Sequence, residues 1–178
     1  VILGSFFNAI VLQILTFSDA ETFRSAVFWM MGSLSGASGA TLAVLAAHLL
    51  PAAAILIALA RPLNLLAMGE DTALYLGVRV ERVKWVAFLV ASMLVAAGVA
   101  VAGAIGFIGL VVPHAIRLLW GSDHRLLLPA SMLAGTAFLL AADTVARTIA
   151  APAELPIGVV TALVGVPVFV VLLTRRAV

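Results

Sequence analysis

Of 178 residues, 65% are apolar and only 10% charged, with a mean hydropathy of +1.26. A soluble domain of this length has too little interior for so much apolar surface, so an ordinary soluble globule is excluded and lipid must cover the excess. Ten basic against eight acidic residues are too sparse for a nucleic-acid footprint, and the lack of cysteine excludes disulfides, thiolate metal sites and thiol catalysis.

Apolar runs at about 1–17, 40–60, 83–103, 105–120, 126–150 and 156–174 predict six transmembrane helices, because a helix satisfies its own backbone polar groups in lipid. The expected fold is therefore an all-α polytopic membrane bundle. The chain opens at Val1 inside an apolar run and is expected to be the tail of a longer polypeptide. In the first span, Asn8 and Gln13 stand among apolar residues, where hydrogen bonds to a neighbouring helix would satisfy them. Residues 20–31 read as a short surface helix, with Met30 and Met31 packing. The GASG stretch at 36–39 matches a serine-protease tetrapeptide, but small-residue turns produce it often and nothing places His48 or His114 beside Ser38.

From Arg61 to Lys84 the sequence is polar enough to leave the membrane yet keeps Leu63, Leu65, Leu66, Met68, Leu74, Leu76 and Val78. Pro62 suits the start of one short helix and Gly69 interrupts it. Glu70 and Asp71 suit the positive N-terminus of a second, which Gly77 can end. The pattern fits an amphipathic segment on headgroups or a platform for a partner protein; two acidic residues at the break favour the platform, being poorly placed against an anionic leaflet.

The fourth span is short: sixteen residues rise about 24 Å against a hydrocarbon core of about 30 Å. If it crosses, Arg61, Arg79, Arg82, Lys84, Arg117, Arg125, Arg175 and Arg176 share one side, leaving Arg24 and Arg147 on the other. That bias predicts six crossings with a cytoplasmic C-terminus. Gly103, Gly106 and Gly109 are expected to allow close backbone approach at its start, and Pro113 to bend it at the Gly109 carbonyl. Such a span either borders a cavity or packs tightly among neighbours. His114 is expected to hydrogen-bond within this helix pack, while Asp123, His124 and Arg125 form a turn before Pro129. His48, His114 and His124 stand singly, without metal-ligand spacing. Further on, Asp143 and Arg147 lie one helical turn apart, a spacing that favours an ion pair.

The stretch GEDTALYLG resembles the coupling loop of ABC importers, of the form E-A-A-x-x-x-G: Asp71, Thr72 and Ala73 take the first three places and Gly77 the last, departing at Asp71 and Thr72. FRSAVFWMMGSLSGAS at 23–38, RPLNLLAMGED at 61–71, GAIGFIGLVVPHAIRLLWGSDHRLLLP at 103–129 and ADTVART with APAELPIGVVTALVGVPVF within 142–169 resemble FecCD-type permeases for ferric siderophores, haem and cobalamin. The resemblance covers residues 1–178 in order. It implies the C-terminal six of ten transmembrane helices of one permease domain, with 61–82 as the cytoplasmic coupling loop.

The implied function is the permease subunit of an importer in the cytoplasmic (inner) membrane of a bacterium or archaeon. Leu65, Leu66, Met68, Gly69, Glu70, Asp71, Thr72, Ala73 and Gly77 would seat in an ATPase subunit. Arg147 would dock a periplasmic or lipid-anchored substrate-binding protein, and Asn8 and Gln13 would line the path. A second permease subunit, identical or paired, is implied. The chain is not expected to be an enzyme or to hold a cofactor; ATP and magnesium would sit on the partner ATPase, since the only lysine, Lys84, precedes Trp85 and forms no Walker A loop. The competing class is an ion-coupled secondary transporter with Asp143 as its intramembrane carboxylate.

Overall fold

A computed structural model describes residues 2–149 and 155–174. Nine helices follow one another among the described residues: α1 Ile2–Thr16, α2 Ala20–Met30, α3 Gly39–Ala58, α4 Ala60–Ala67, α5 Glu70–Tyr75, α6 Val80–Ala102, α7 Ile108–Trp120, α8 His124–Ile149 and α9 Ile157–Thr174. Each expected span and each expected short helix is present. By length and apolarity α3, α6 and α8 can cross a membrane, whereas α1 and α7 are shorter apolar helices. Arg175 and Arg176, the last two residues of the predicted charge bias, lie outside the described residues.

Local chemistry sets the helix ends. Asp19 caps α2 by accepting from the Glu21 and Thr22 amides at 3.1 and 3.0 Å. The Thr22 hydroxyl also donates to it at 2.6 Å, and this bond, followed by the amide bonds, holds the carboxyl below its ordinary range. Ser38 caps α3 through the Thr41 amide at 3.2 Å, and His48 lies ten residues along the same helix, about 15 Å away by helix rise. The GASG serine is thus a helix cap.

A single residue, Leu59, separates α3 from α4; its amide donates to Ile55 and its carbonyl accepts from Leu63. The helix after it begins at Ala60, two residues before Pro62, which costs no hydrogen bond in a first turn. Gly69 precedes α5 with φ 121°, a conformation that side chains disfavour. After α5, Gly77 adopts φ 81°, its amide donates to Leu74 and that of Val78 to Ala73, which together make a Schellman ending.

The core lies where α7, α8 and α9 meet, with α3 and α6 paired alongside and α4 packed beneath α8. Val112 and Ile116 of α7 bury against Leu127 of α8, flanked by Ala130, Ala134 and Phe138. Toward the other end of α8, Ala142 and Ala146 bury against Ile157 and Val160 of α9. There the chain after α2 ties three segments by backbone bonds. Ser33 donates to Ala102 at 2.9 Å, Ile157 to Gly32 at 3.1 Å and Gly158 to Met31 at 3.0 Å.

The short helix α7 runs from that clamp to the turn before α8, which touches α4, so it does join the two ends of the bundle. Close approach at its start holds for Gly103 alone: a Cβ there would fall 2.1 Å from the Trp29 carbonyl oxygen, whereas Gly106 and Gly109 have open space. The helix also continues unbroken through Pro113; the irregular backbone lies earlier, at 103–107, where Phe107 takes φ 67° and its side chain packs under Gly165. Pro113, the sixth residue of α7, leaves the Gly109 carbonyl without its helical N–H donor, yet the helix carries on through it.

Candidate functional site

Two ends of the bundle carry the polar and strained features. At one, α4 and α5 form a small platform. Ala73 is fully buried on its inner side, and Leu65, Leu66 and Thr72 are half-buried. Met68, Leu74, Leu76 and Tyr75 point outward, Tyr75 being 91% exposed. Of the nine sequence-predicted coupling residues, Ala73 is therefore a packing residue, Leu65, Leu66 and Thr72 brace the platform, Met68, Glu70 and Asp71 are exposed, and Gly69 and Gly77 bound α5. Tyr75 was not among them. Its aromatic ring following Leu74 was the signal available, because large apolar side chains clustered on an exposed hairpin mark a contact surface for a protein or a membrane.

Polar contacts fix this platform to the helices above. Glu70 pairs with Lys84 of α6 at 2.6 Å, and Glu81 adds a longer contact at 3.8 Å. Asn64 of α4 bonds Asp123 and His124 at the start of α8. Asp123 caps α8 through the Arg125 amide at 2.9 Å. That bond, then the one from Asn64, holds the Asp123 carboxyl below its usual range. The predicted turn thus lies at 121–123, with His124 already helical and Pro129 inside α8, since the cap on Asp123 starts the helix there.

At the opposite end Arg147 Nε donates to Asp143 Oδ2 at 2.9 Å, with the arginine side chain 44% exposed. The pair expected from spacing is formed, and the guanidinium still reaches the surface. Arg24 of α2 lies over Phe28, 5.7 Å from the ring centre. Among the described residues the basic groups divide accordingly, with Arg61, Arg79, Arg82, Lys84, Arg117 and Arg125 toward the platform and Arg24 and Arg147 toward the clamp.

Asn8 and Gln13 are exposed on α1, which packs chiefly against α2 and buries only Leu15 among its described residues. The structure brings neither of them to the other predicted residues. An open apolar groove of about 520 Å³ lies between α3 and α6, lined by residues such as Thr41, Val44, His48 and Val101. His114 does not bond within the helix pack as expected: its Nε2 is buried without a hydrogen-bond partner among the described residues, and its ring packs edge-on to Phe169 of α9. Apolar α9 supplies a ring where a polar partner was needed.

Comparison with known proteins places this arrangement. The chain is 48% identical over 159 residues to the hemin transport system permease protein HmuU of Yersinia pestis, covering 89% of this chain and 48% of that protein. It is 47% identical over 168 residues to the cobalamin import system permease protein BtuC of Halobacterium salinarum, covering 94% of this chain and 45% of that one. The chain spans about half the length of the curated relatives it matches. An ABC transporter assigned to the metal-chelate type, solved in an inward-facing conformation, superposes with a TM-score of 0.93 at 39% identity, over 98% of this chain and 56% of that one. The sequence model of the FecCD transport family matches residues 1–175, and the chain belongs to the FecCD transport family.

Proposed function

We propose that the chain is the C-terminal part of the transmembrane permease subunit of an ATP-driven importer for a metal chelate: a ferric siderophore, haem or cobalamin. The platform of α4 and α5 faces the cytoplasm and seats in an ATPase subunit that binds ATP and magnesium. The opposite end receives cargo from a substrate-binding protein, with Arg147 meeting an acidic group on it. A second permease subunit completes the conduit in the cytoplasmic membrane. The relatives from Yersinia pestis and Halobacterium salinarum are named as permeases for hemin and cobalamin, which supports the substrate class.

The observation that carries the reading is the apolar tip of Met68, Leu74, Tyr75 and Leu76, held out from the bundle on helices braced by Ala73, Asn64 and the Glu70–Lys84 pair. A rigid, outward-facing apolar patch fits a protein cleft, and its bracing suits a part that must transmit force.

The test uses the full-length protein, tagged and purified from its own cells. A nucleotide-hydrolysing subunit should co-purify, and proteoliposomes holding the complex and the binding protein should take up labelled cobalamin, hemin or a ferric siderophore only with ATP. Replacing Leu74 and Tyr75 by aspartate should release the ATPase. Retention of the ATPase by that variant, or uptake driven by an ion gradient without ATP, would refute the proposal.

A further inference from the structure

Three hydrogen bonds between elements far apart in sequence converge on one side chain. Asn64, midway along α4, donates from Nδ2 to Asp123 Oδ1 at 2.7 Å. Its Oδ1 accepts the His124 backbone N–H at 2.9 Å and lies 2.6 Å from His124 Nδ1. Because the backbone N–H identifies that Asn64 atom as oxygen, His124 Nδ1 carries a proton and donates to it. Asp123 Oδ1 in turn accepts the Arg125 amide at 2.9 Å, so the same carboxylate that starts α8 also holds the amide of α4.

This node joins the platform to one particular helix. The α4 helix otherwise meets α8 through packed side chains, and packed helices can slide past one another by an ångström or two. Directional bonds with fixed donor and acceptor positions resist that slide. The node grips α8 at its first residue, and α8, about 39 Å long over its 26 residues, carries the Asp143–Arg147 pair near its far end.

We infer that Asn64 is the positioning residue that makes α4 and α8 move as one body. Displacement of the platform is delivered to α8 through the node, and from there to the end that meets the binding protein. The inference rests on the permease reading above and adds a residue outside the ATPase-facing tip.

The experiment uses the full-length transporter with its ATPase subunits and binding protein in proteoliposomes, measuring uptake of cobalamin, hemin or a ferric siderophore, whichever is carried, together with ATP hydrolysis. Asn64→Asp removes the donor and sets a second carboxylate against Asp123. Adding Asp123→Asn returns a donor to the pair: the substituted side chain can give its amide to the new carboxylate on α4 and its oxygen to the Arg125 N–H, and asparagine caps helices as well as aspartate does. Cargo taken up per ATP should fall at least tenfold in Asn64→Asp, with the ATPase still attached and hydrolysing, and should return to within about threefold of the parent in the double variant.

An unchanged ratio in Asn64→Asp overturns the inference and leaves the permease reading intact. So does a lowered ratio that the second change fails to restore, and so does loss of the ATPase from the single variant, which would make Asn64 a docking residue. Absence of ATP-driven uptake of cobalamin, hemin and ferric siderophores alike in the parent protein overturns the permease reading and the inference with it.

Discussion

Gly158→Ala tests whether the clamp joining α2, α6 and α9 holds the bundle's far end. A methyl group at that position would lie 2.3 Å from the Met31 carbonyl oxygen, a backbone atom, where Cβ contacts below 3.0 Å essentially do not occur. The carbonyl must retreat by roughly 0.7 Å, and it is the acceptor of the Gly158 amide at 3.0 Å, beside the Ile157-to-Gly32 bond at 3.1 Å. Breaking one such bond where water is scarce costs about 1–3 kcal/mol, and overpacking adds about 1–3 kcal/mol. Reduced freedom of the unfolded chain returns about 0.4–1 kcal/mol. The net is a destabilisation of about 1–6 kcal/mol, centred at about 3 kcal/mol. Thermal unfolding of the purified full-length protein in detergent, followed by tryptophan fluorescence because Trp29 sits in the clamp, should show a melting temperature lower by several degrees. Gly109→Ala, in open space within α7, should not lower it, since alanine is the better helix former by about 1 kcal/mol. Equal melting temperatures for Gly158→Ala and the parent would refute the reasoning.

Other expectations follow from the two ends. Gly69→Ala forces a side chain into φ 121°, at a local cost of about 1–3 kcal/mol, and should weaken co-purification of the ATPase without lowering expression. Asp143→Asn keeps an oxygen for Arg147 Nε; an exposed pair contributes about 0.2–1 kcal/mol, so ATP-driven uptake should stay within about fivefold, and a loss beyond a hundredfold would point to a proton relay. Arg147→Glu should weaken binding-protein affinity by about tenfold or more, read by surface plasmon resonance on reconstituted protein, with ATPase attachment unchanged. The lowered Asp123 carboxyl stabilises the folded chain fully above the unfolded carboxylate value of about 4, and that contribution is lost as pH falls through the lower folded value. The stability gap between parent and Asp123→Ala should therefore close on acidification below pH 4, and a gap that widens there would contradict the assignment.

Helix positions were legible because lipid imposes long apolar runs and because glycines and acidic residues punctuate them: Gly69, Glu70 and Gly77 marked α5 almost to the residue. The short helix α7 lies where an apolar run predicted it, although its 13 residues are too few for length alone to mark a crossing. Pairings across the bundle were not legible. Nothing near Asn64 in the sequence announces a partner about 60 residues away, and an asparagine in a short helix reads as a surface residue. The three glycines at the start of the short span look alike in sequence, yet of these only Gly103 meets another backbone, while Gly158, inside an apolar helix, proves to be a second tight one. Close approach depends on which stretch of chain arrives from elsewhere. Likewise His114 offered no hint that an aromatic ring of α9 would face it.

Leu59 has a mechanical consequence. One residue between α3 and α4, bonded on both sides, makes a stiff elbow whose long arm is the 20-residue α3, about 30 Å by helix rise. A pivot of about 5° there swings the distant tip of α3 by about 2.6 Å. Such a swing would be felt most at Ser38, where α3 begins beside the groove that it shares with α6.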